Sequence, residues 1–514
     1  MRKWYLLTLL ALLLPAALWA AGSGEKGTSA SGASAKPVVV FFWDDRDSAP
    51  ADLERVRQYV IKQSGVNFTL RKVKTEEEFT NQMAIALAGK EDIDLIPIND
   101  TNQMIDLKSR GAIKAITSEV NTYGPDLKKN IPADSWKIVT DGKGDIWAIP
   151  VQSFQNQGRA LQIRKDWREK LGLAPIQTLA DFETYLRAVK TGDLDGNGKG
   201  DTIPLINTDE GYFGYEAALL YLFTETVPDP SNDATSNYID SKGNVTPVPL
   251  HPGFKDYLRK MAQWNKEGLI YPESYSIKAN AIGDLIASNR VGATSGWYSS
   301  TYRPWATLLK TVPTASYEII LPRTVNGNPY KVKKDNPGSP QLAVVSFSPV
   351  AAQAVKLVDW FGTSKENYIT MKAGVRGTDW DWVDQAATTI KYLVDKTDPS
   401  KSYNYGFSFF FNGPWNPKPA NPQWLDQQYA AGNKVIDALP PLWNPDWFVP
   451  YDFKSTPIAN GFADAQTLLS EAEVNIILGK RPVDDWDQVV AQYRKTFADQ
   501  YIQLATAQYN QFKK

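Results

Sequence analysis

Residues 38–99 read "VVVFFWDDRDSAPADLERVRQYVIKQSGVNFTLRKVKTEEEFTNQMAIALAGKEDIDLIPIN", and this stretch decides the fold class. "VVVFFW" (38–43) is a continuous apolar run, the pattern of a strand covered on both faces. The next segment carries Leu53, Val56 and Val60 on one helical face, with Ser48 expected as its cap and Pro50 suited to its first turn. "NFTLRKV" (67–73) is a second strand. Thr75 and Glu78 have capping-box spacing ahead of "EEEFTNQMAIALAG", which turns Phe79, Met83 and Leu87 inward and stops at Gly89. "DLIPIN" (94–99) closes the unit. Strand, helix, strand, helix, strand predicts a parallel α/β layer.

The chain has 514 residues, more than one core holds, so two lobes are expected. Lys and Arg total 56 and Asp and Glu 57, a balance that gives no reason to expect nucleic-acid or anionic-membrane binding. There are 17 Trp residues, more than a core requires, and exposed Trp suits a flat apolar surface such as a sugar ring.

Arg2 and Lys3 precede the apolar run "WYLLTLLALLLPAALWA", so residues 1–21 are expected to be a signal peptide, with cleavage near Ala20 or Gly22. Residues 22–36, "GSGEKGTSASGASAK", have the composition of a flexible tether. With no cysteine there is neither a disulfide nor an anchor for a lipid, and an exported periplasmic protein is expected.

"TGDLDGNGKGDTIPL" (191–205) is the densest set of hard oxygen donors. Asp193, Asp195, Asn197, the Lys199 carbonyl and Asp201 fall at positions 1, 3, 5, 7 and 9 of a calcium loop, with Gly198 at the sharp turn. Position 12 is Pro204, where a bidentate Glu belongs. Structural Ca²⁺ is the expected cofactor, and an Asx-rich turn is the alternative.

Catalytic chemistry has few candidates. The single histidine, His251 in "LHPGF", reads as a turn residue. No zinc cluster can be built, and no phosphate loop or nucleophile elbow is present. A two-carboxylate glycoside hydrolase stays open. Aromatic and polar residues at element ends form a stronger pattern: Trp43 with Asp44, Asp100, Gln152 with Phe154 and Gln155, Trp297 with Tyr298, and Arg376 with Trp380. Aromatic faces stack on pyranose rings, and the polar groups bond the hydroxyl rim. Taken singly, each aromatic is equally a core residue, and Asp44, Asp100 and Arg376 are equally turn or salt-bridge residues.

"GDIWAIP" (144–150), "LQIRKDWREKLGL" (161–173), "LADFETYLRAVKTGDLDGNGKGDTIPL" (179–205), "RVGATSGWY" (290–298) and "ILGKRPVDDWDQVVAQY" (477–493) together resemble the extracellular solute-binding proteins of bacterial ABC importers, carbohydrate-binding family 1 type. The resemblance implies an α/β Venus-flytrap fold, two lobes joined by crossing strands near residues 150–160, 338–348 and 374–380. Residues 37–155 with 341–375 would form the N-terminal lobe, and 156–340 with 376–514 the C-terminal lobe. It favours Trp297 as a stacking aromatic, Asp100 as a cleft carboxylate and Arg376 at the third crossing. It also implies a monomeric, non-enzymatic receptor that binds an oligosaccharide and delivers it to a membrane permease, or presents it to a membrane sensor. The aromatic insertion at 376–450 matches no motif.

Overall fold

A five-stranded sheet forms around the opening unit, in the order Phe68–Val73, Val38–Trp43, Leu95–Ile98, Gln341–Val344, Ile149–Pro150. The first three strands are parallel, as the sequence predicts, while Gln341–Val344 runs antiparallel to both its neighbours. The computed structural model describes residues 36–513 apart from Asp100, 152–157, 209–215, 227–232, 334–340, 397–400, Ser408, Phe411, 421–423, 443–448, Pro450 and Ser455. The expected signal peptide and nearly all of the tether lie outside the described residues.

Helix Pro50–Ser64 buries Val56 and Val60 against this sheet, and Glu76–Gly89 buries Phe79, Met83 and Ala86. Two cap details differ from expectation. Ser48 is not the cap of the first helix: its hydroxyl donates to the Asn404 carbonyl (2.7 Å) and accepts from the Asn404 N–H (2.9 Å), a tie to a segment 356 residues away. The second helix ends on Lys90 in the left-handed region (φ 50°), one residue beyond the glycine expected to stop it.

The chain then changes sheets. After Ile149–Pro150, strand Arg159–Arg164 pairs with Val291–Trp297 and Tyr317–Ile320 in a four-stranded sheet completed by Ile203–Asn207. It returns to the first sheet at Gln341–Val344. Helix Leu179–Thr191 packs Phe182, Tyr185, Leu186 and Val189 on the second sheet. It begins with the full Thr178–Asp181 capping box, satisfying two free N–H groups at the helix start. The C-terminal helices stack Tyr493, Phe497 and Tyr501 in one ladder, with ring centroids 6.1 and 5.4 Å apart. A π-turn at Arg494–Ala498 runs through that ladder.

One boundary moves. Trp380, Ile390, Tyr403, Phe407, Phe409 and Phe410, expected in the second lobe, are buried in the core of the first sheet. Strands Trp380–Asp384, Thr389–Tyr392 and Lys418–Pro419 make a small sheet there. Second-core side chains resume at Trp424 and Leu425. The third change of core therefore falls near residue 420, not near 374–380, because aromatic burial keeps the intervening chain on the first side.

Candidate functional site

Strand Val38–Trp43 buries its first five residues and turns Trp43 out, 38 % exposed, at its carboxyl end. Ligands of α/β sheets bind at this end. Asp44 follows, buried, with its backbone N–H on the Val73 carbonyl (3.0 Å). Its carboxylate takes a forked pair from Arg46, Nε to Oδ1 and Nη2 to Oδ2, each 2.7 Å. The Arg46 guanidinium in turn lies 4.0 Å from the ring centroid of Tyr405. Lys372 places its ammonium 5.4 Å from the rings of both Tyr368 and Tyr405. Burial, and then the charge of Arg46, push that ammonium down to about 7.

The second sheet presents Trp297 at the end of Val291–Trp297, half-buried, with its ring 6.2 Å from that of Tyr298. Tyr298 is itself buried, and its hydroxyl donates to Asn433. A Cβ at Gly158 or at Gly432 would overlap its ring, so the chain approaches Tyr298 closely from two directions. Helix Trp424–Asp437 is thereby seated, with Tyr429 5.3 Å from Tyr302 and Trp424 4.9 Å from Trp305.

Ion pairs join the two sides. Arg303, just beyond Trp297, pairs with Asp45, just beyond Trp43. Lys454 meets Asp106 at 3.0 Å and Lys278 meets Glu77 at 3.5 Å. The Asp45–Arg303 pair brings the carboxyl end of the first sheet's central region opposite that of the second. Trp43 and Trp297, both partly exposed, thus close strands whose following segments meet through that ion pair.

Other expected site residues lie elsewhere. Trp380 is fully buried, its Nε1 donating to the Gly374 carbonyl (2.8 Å), so it is a core residue. Arg376 is exposed and spends its guanidinium on Glu366 and Asp381, each at 3.0 Å, a local surface cluster. Tyr298 is buried, with its hydroxyl on Asn433. Both carboxylate oxygens of Asp44 are taken by Arg46. Asp100, Gln152, Phe154 and Gln155 lie outside the described residues. Sequence reasoning missed Arg46, Tyr405, Tyr429 and Lys372. Tyr405 and Tyr429 fall in the insertion that has no periodicity, and only the charged run "DDRD" (44–47) hinted at Arg46.

The acidic loop sits between Thr191 and Ile203, away from this region in sequence and packing. Asn197 Nδ2 donates to Asp195 Oδ2 (2.7 Å) and Asp201 Oδ1 (2.9 Å), bridging two carboxylates. Gly198 N–H donates to Asp193 (3.0 Å). Burial, with the charges of Asp193 and Asp201, raises the Asp195 carboxyl, while the Asn197 amide lowers that of Asp201. Among the described residues no group of three His, Cys, Asp or Glu is gathered around a metal position. The donor set nevertheless suits a hard cation: carboxylates crowd one another, and the amide between them does part of a cation's work. His251 is the expected turn residue, its Nδ1 accepting from the Gly253 N–H (3.0 Å).

These features define the class of fold. No family model matches the chain. It is 27 % identical over 217 residues to Lipoprotein LipO of Bacillus subtilis, covering 40 % of this chain and 39 % of that protein. It is 24 % identical over 259 residues to the fructooligosaccharide ABC transporter substrate-binding protein FusA of Streptococcus pneumoniae, covering 47 % and 46 %. The matched segments thus span less than half of these curated relatives. Solved structures match much further. An EF-hand mutant of S. pneumoniae FusA in complex with fructo-nystose has a TM-score of 0.71 at 19 % identity, over 93 % of this chain and 99 % of that one. The alginate-binding protein AlgQ2 without calcium ion has a TM-score of 0.69 at 21 % identity over 93 % and 99 %. The chain has the two-lobe α/β fold of ABC-transporter substrate-binding proteins.

Proposed function

We propose that this chain is the substrate-binding component of an ABC importer, capturing an oligosaccharide between its lobes and handing it to a membrane permease. The observation that carries this is the pairing of Trp43 and Trp297. Each closes a buried strand of a different sheet, each keeps part of its ring open, and Asp45–Arg303 draws their segments together. Two aromatic faces across a cleft suit stacking on a sugar, and the similarity to FusA supports the same ligand class. Capture is a population shift: only the closed state lets a ligand touch both lobes.

The described acids near the cleft suit binding better than hydrolysis. Asp44 is locked to Arg46 and Asp45 to Arg303, so neither carboxylate is held free as one of the two that a glycoside hydrolase places across the scissile bond. We take the lobes to be 37–150 with 341–420, and 159–333 with 424–513, acting as a monomer. We further assign structural calcium to Asp193, Asp195, Asn197, the Lys199 carbonyl and Asp201, the cation replacing the Asn197 amide between the carboxylates. Export to the periplasm completes the proposal. Among the described residues no helix is long and apolar enough to cross a membrane.

Small-angle scattering with and without a sugar panel tests the capture step. A ligand that lowers the radius of gyration, and is recovered unchanged, supports it. Release of new reducing ends over time would point to hydrolysis instead.

A further inference from the structure

The ion pairs that cross between the lobes share one polarity. Asp45, Glu77 and Asp106 of the first lobe meet Arg303, Lys278 and Lys454 of the second. Among the described residues no crossing pair has its acid on the second side. The acids are also spread in a regular way. Asp45 lies just beyond strand Val38–Trp43. Glu77 is in the first turn of the helix that follows strand Phe68–Val73. Asp106 is in helix Thr101–Ser109, which follows strand Leu95–Ile98. Each of the three parallel strands therefore sends one carboxylate from the segment after its carboxyl end. The strands are neighbours in the sheet, about 4.8 Å apart, so the acids fan across its edge in the order Glu77, Asp45, Asp106.

Three separate segments of the second lobe supply the cations. Arg303 is in helix Tyr302–Leu308, after strand Val291–Trp297. Lys278 immediately precedes helix Ala279–Ala287, and Lys454 follows Phe453 of the second core. These side chains range from 25 % exposed at Lys454 to 66 % at Glu77. Exposed pairs of this kind contribute little to folding. Their effect on lobe closure is different, because they form only when the lobes are together. Parting the lobes breaks all of them at once, although Asp106 keeps its neighbour Arg110. Pairs of ordinary strength, taken together, shift such a two-state balance about tenfold. Salt screens them, since the Debye length falls from about 30 Å at 0.01 M to about 3 Å at 1 M.

We propose that Asp45–Arg303, Glu77–Lys278 and Asp106–Lys454 act as an electrostatic latch that biases the lobes toward closure and makes that bias depend on ionic strength. A ligand that must touch both lobes binds with an affinity scaled by the closed fraction. The latch thus tunes capture of any such ligand, a neutral sugar included, without contacting it. This rests on the proposed lobes and their movement, not on the ligand's identity, so its failure would leave the proposed sugar binding standing.

The chain has no cysteine, so Ile85→Cys on the first lobe and Lys310→Cys on the second, both exposed positions, can carry a pair of spin labels. Pulsed dipolar distance measurement on the full chain, with no sugar added, then reads the balance of closed and open forms. Between about 0.02 M and about 0.5 M salt the closed-to-open ratio should fall about tenfold. At the lower salt Arg303→Glu should lower that ratio about fivefold or more, because it replaces an attraction with a repulsion. Adding Asp45→Lys to Arg303→Glu should restore closure, since the reversed pair attracts again. Thermal melting should move little in these variants, as the side chains are exposed, and a merely structural role would show no rescue. A ratio indifferent to salt would overturn the latch. So would a reversed pair no more closed than Arg303→Glu alone.

Discussion

The acidic loop and the Arg46–Lys372 cluster both crowd like charges, yet they resolve the crowding in opposite ways. In the loop, three aspartates lie at the surface, where water and an amide from Asn197 absorb much of the repulsion. In the cluster, the buried Lys372 and the half-buried Arg46 lie beside one buried carboxylate, Asp44, and a strained tyrosine. Exposed crowding is cheap and suits a site that a soluble ion fills. Buried crowding persists only where the surrounding structure enforces it.

The largest expected contrast comes from deleting one carboxylate in each region. Asp44→Ala strands Arg46 among other cations and should cost about 3 kcal/mol, read as a lower denaturation midpoint. Asp195→Ala without calcium should change stability little, because it also relieves repulsion. Equal losses would erase the distinction. The second effect is calcium itself. At about one hundred times its dissociation constant the ion should stabilise the chain by about 2.7 kcal/mol, and Asp195→Ala should abolish that gain. Sugar affinity should survive chelation; its loss in a folded protein would join two regions separated here.

Third comes pH. Lys372 holds its proton up to about 7 when folded, against 10.5 as a free side chain, with Arg46 and Asp44 as its charged neighbours and the Tyr368 and Tyr405 rings beside it. Between those values the unfolded chain binds more protons, so this group makes stability rise as pH climbs above about 7. The slope is at most about 1.4 kcal/mol per pH unit, and Lys372→Met should flatten it. Asp195→Ala should leave it untouched. An unaltered slope in Lys372→Met would show that the lysine is not held down in this way.

Much of the fold was legible in the sequence because it rests on local pattern. The apolar run at 38–43, the helical spacing of Val56 and Val60, and the Thr178–Asp181 box each act within a few residues. The site was legible only in part. Trp297 and Trp380 look alike in sequence, each beside polar residues at an element end, but tertiary packing buries one completely and leaves the other partly open. Arg376 carried no mark that Glu366 and Asp381 would consume it. Tyr405 was invisible because its conformation depends on Ser48 and Lys372, both remote in sequence.

On the proposed function, sugar is held, unaltered, between the two tryptophan-bearing strand ends. Titration of wild type and Trp297→Ala with the binding sugar, followed by intrinsic fluorescence and a reducing-end assay, addresses it directly. Saturable binding without new reducing ends is expected, weakened about tenfold or about 1.4 kcal/mol in the variant. Unchanged affinity in Trp297→Ala, or product that accumulates with time, would contradict it.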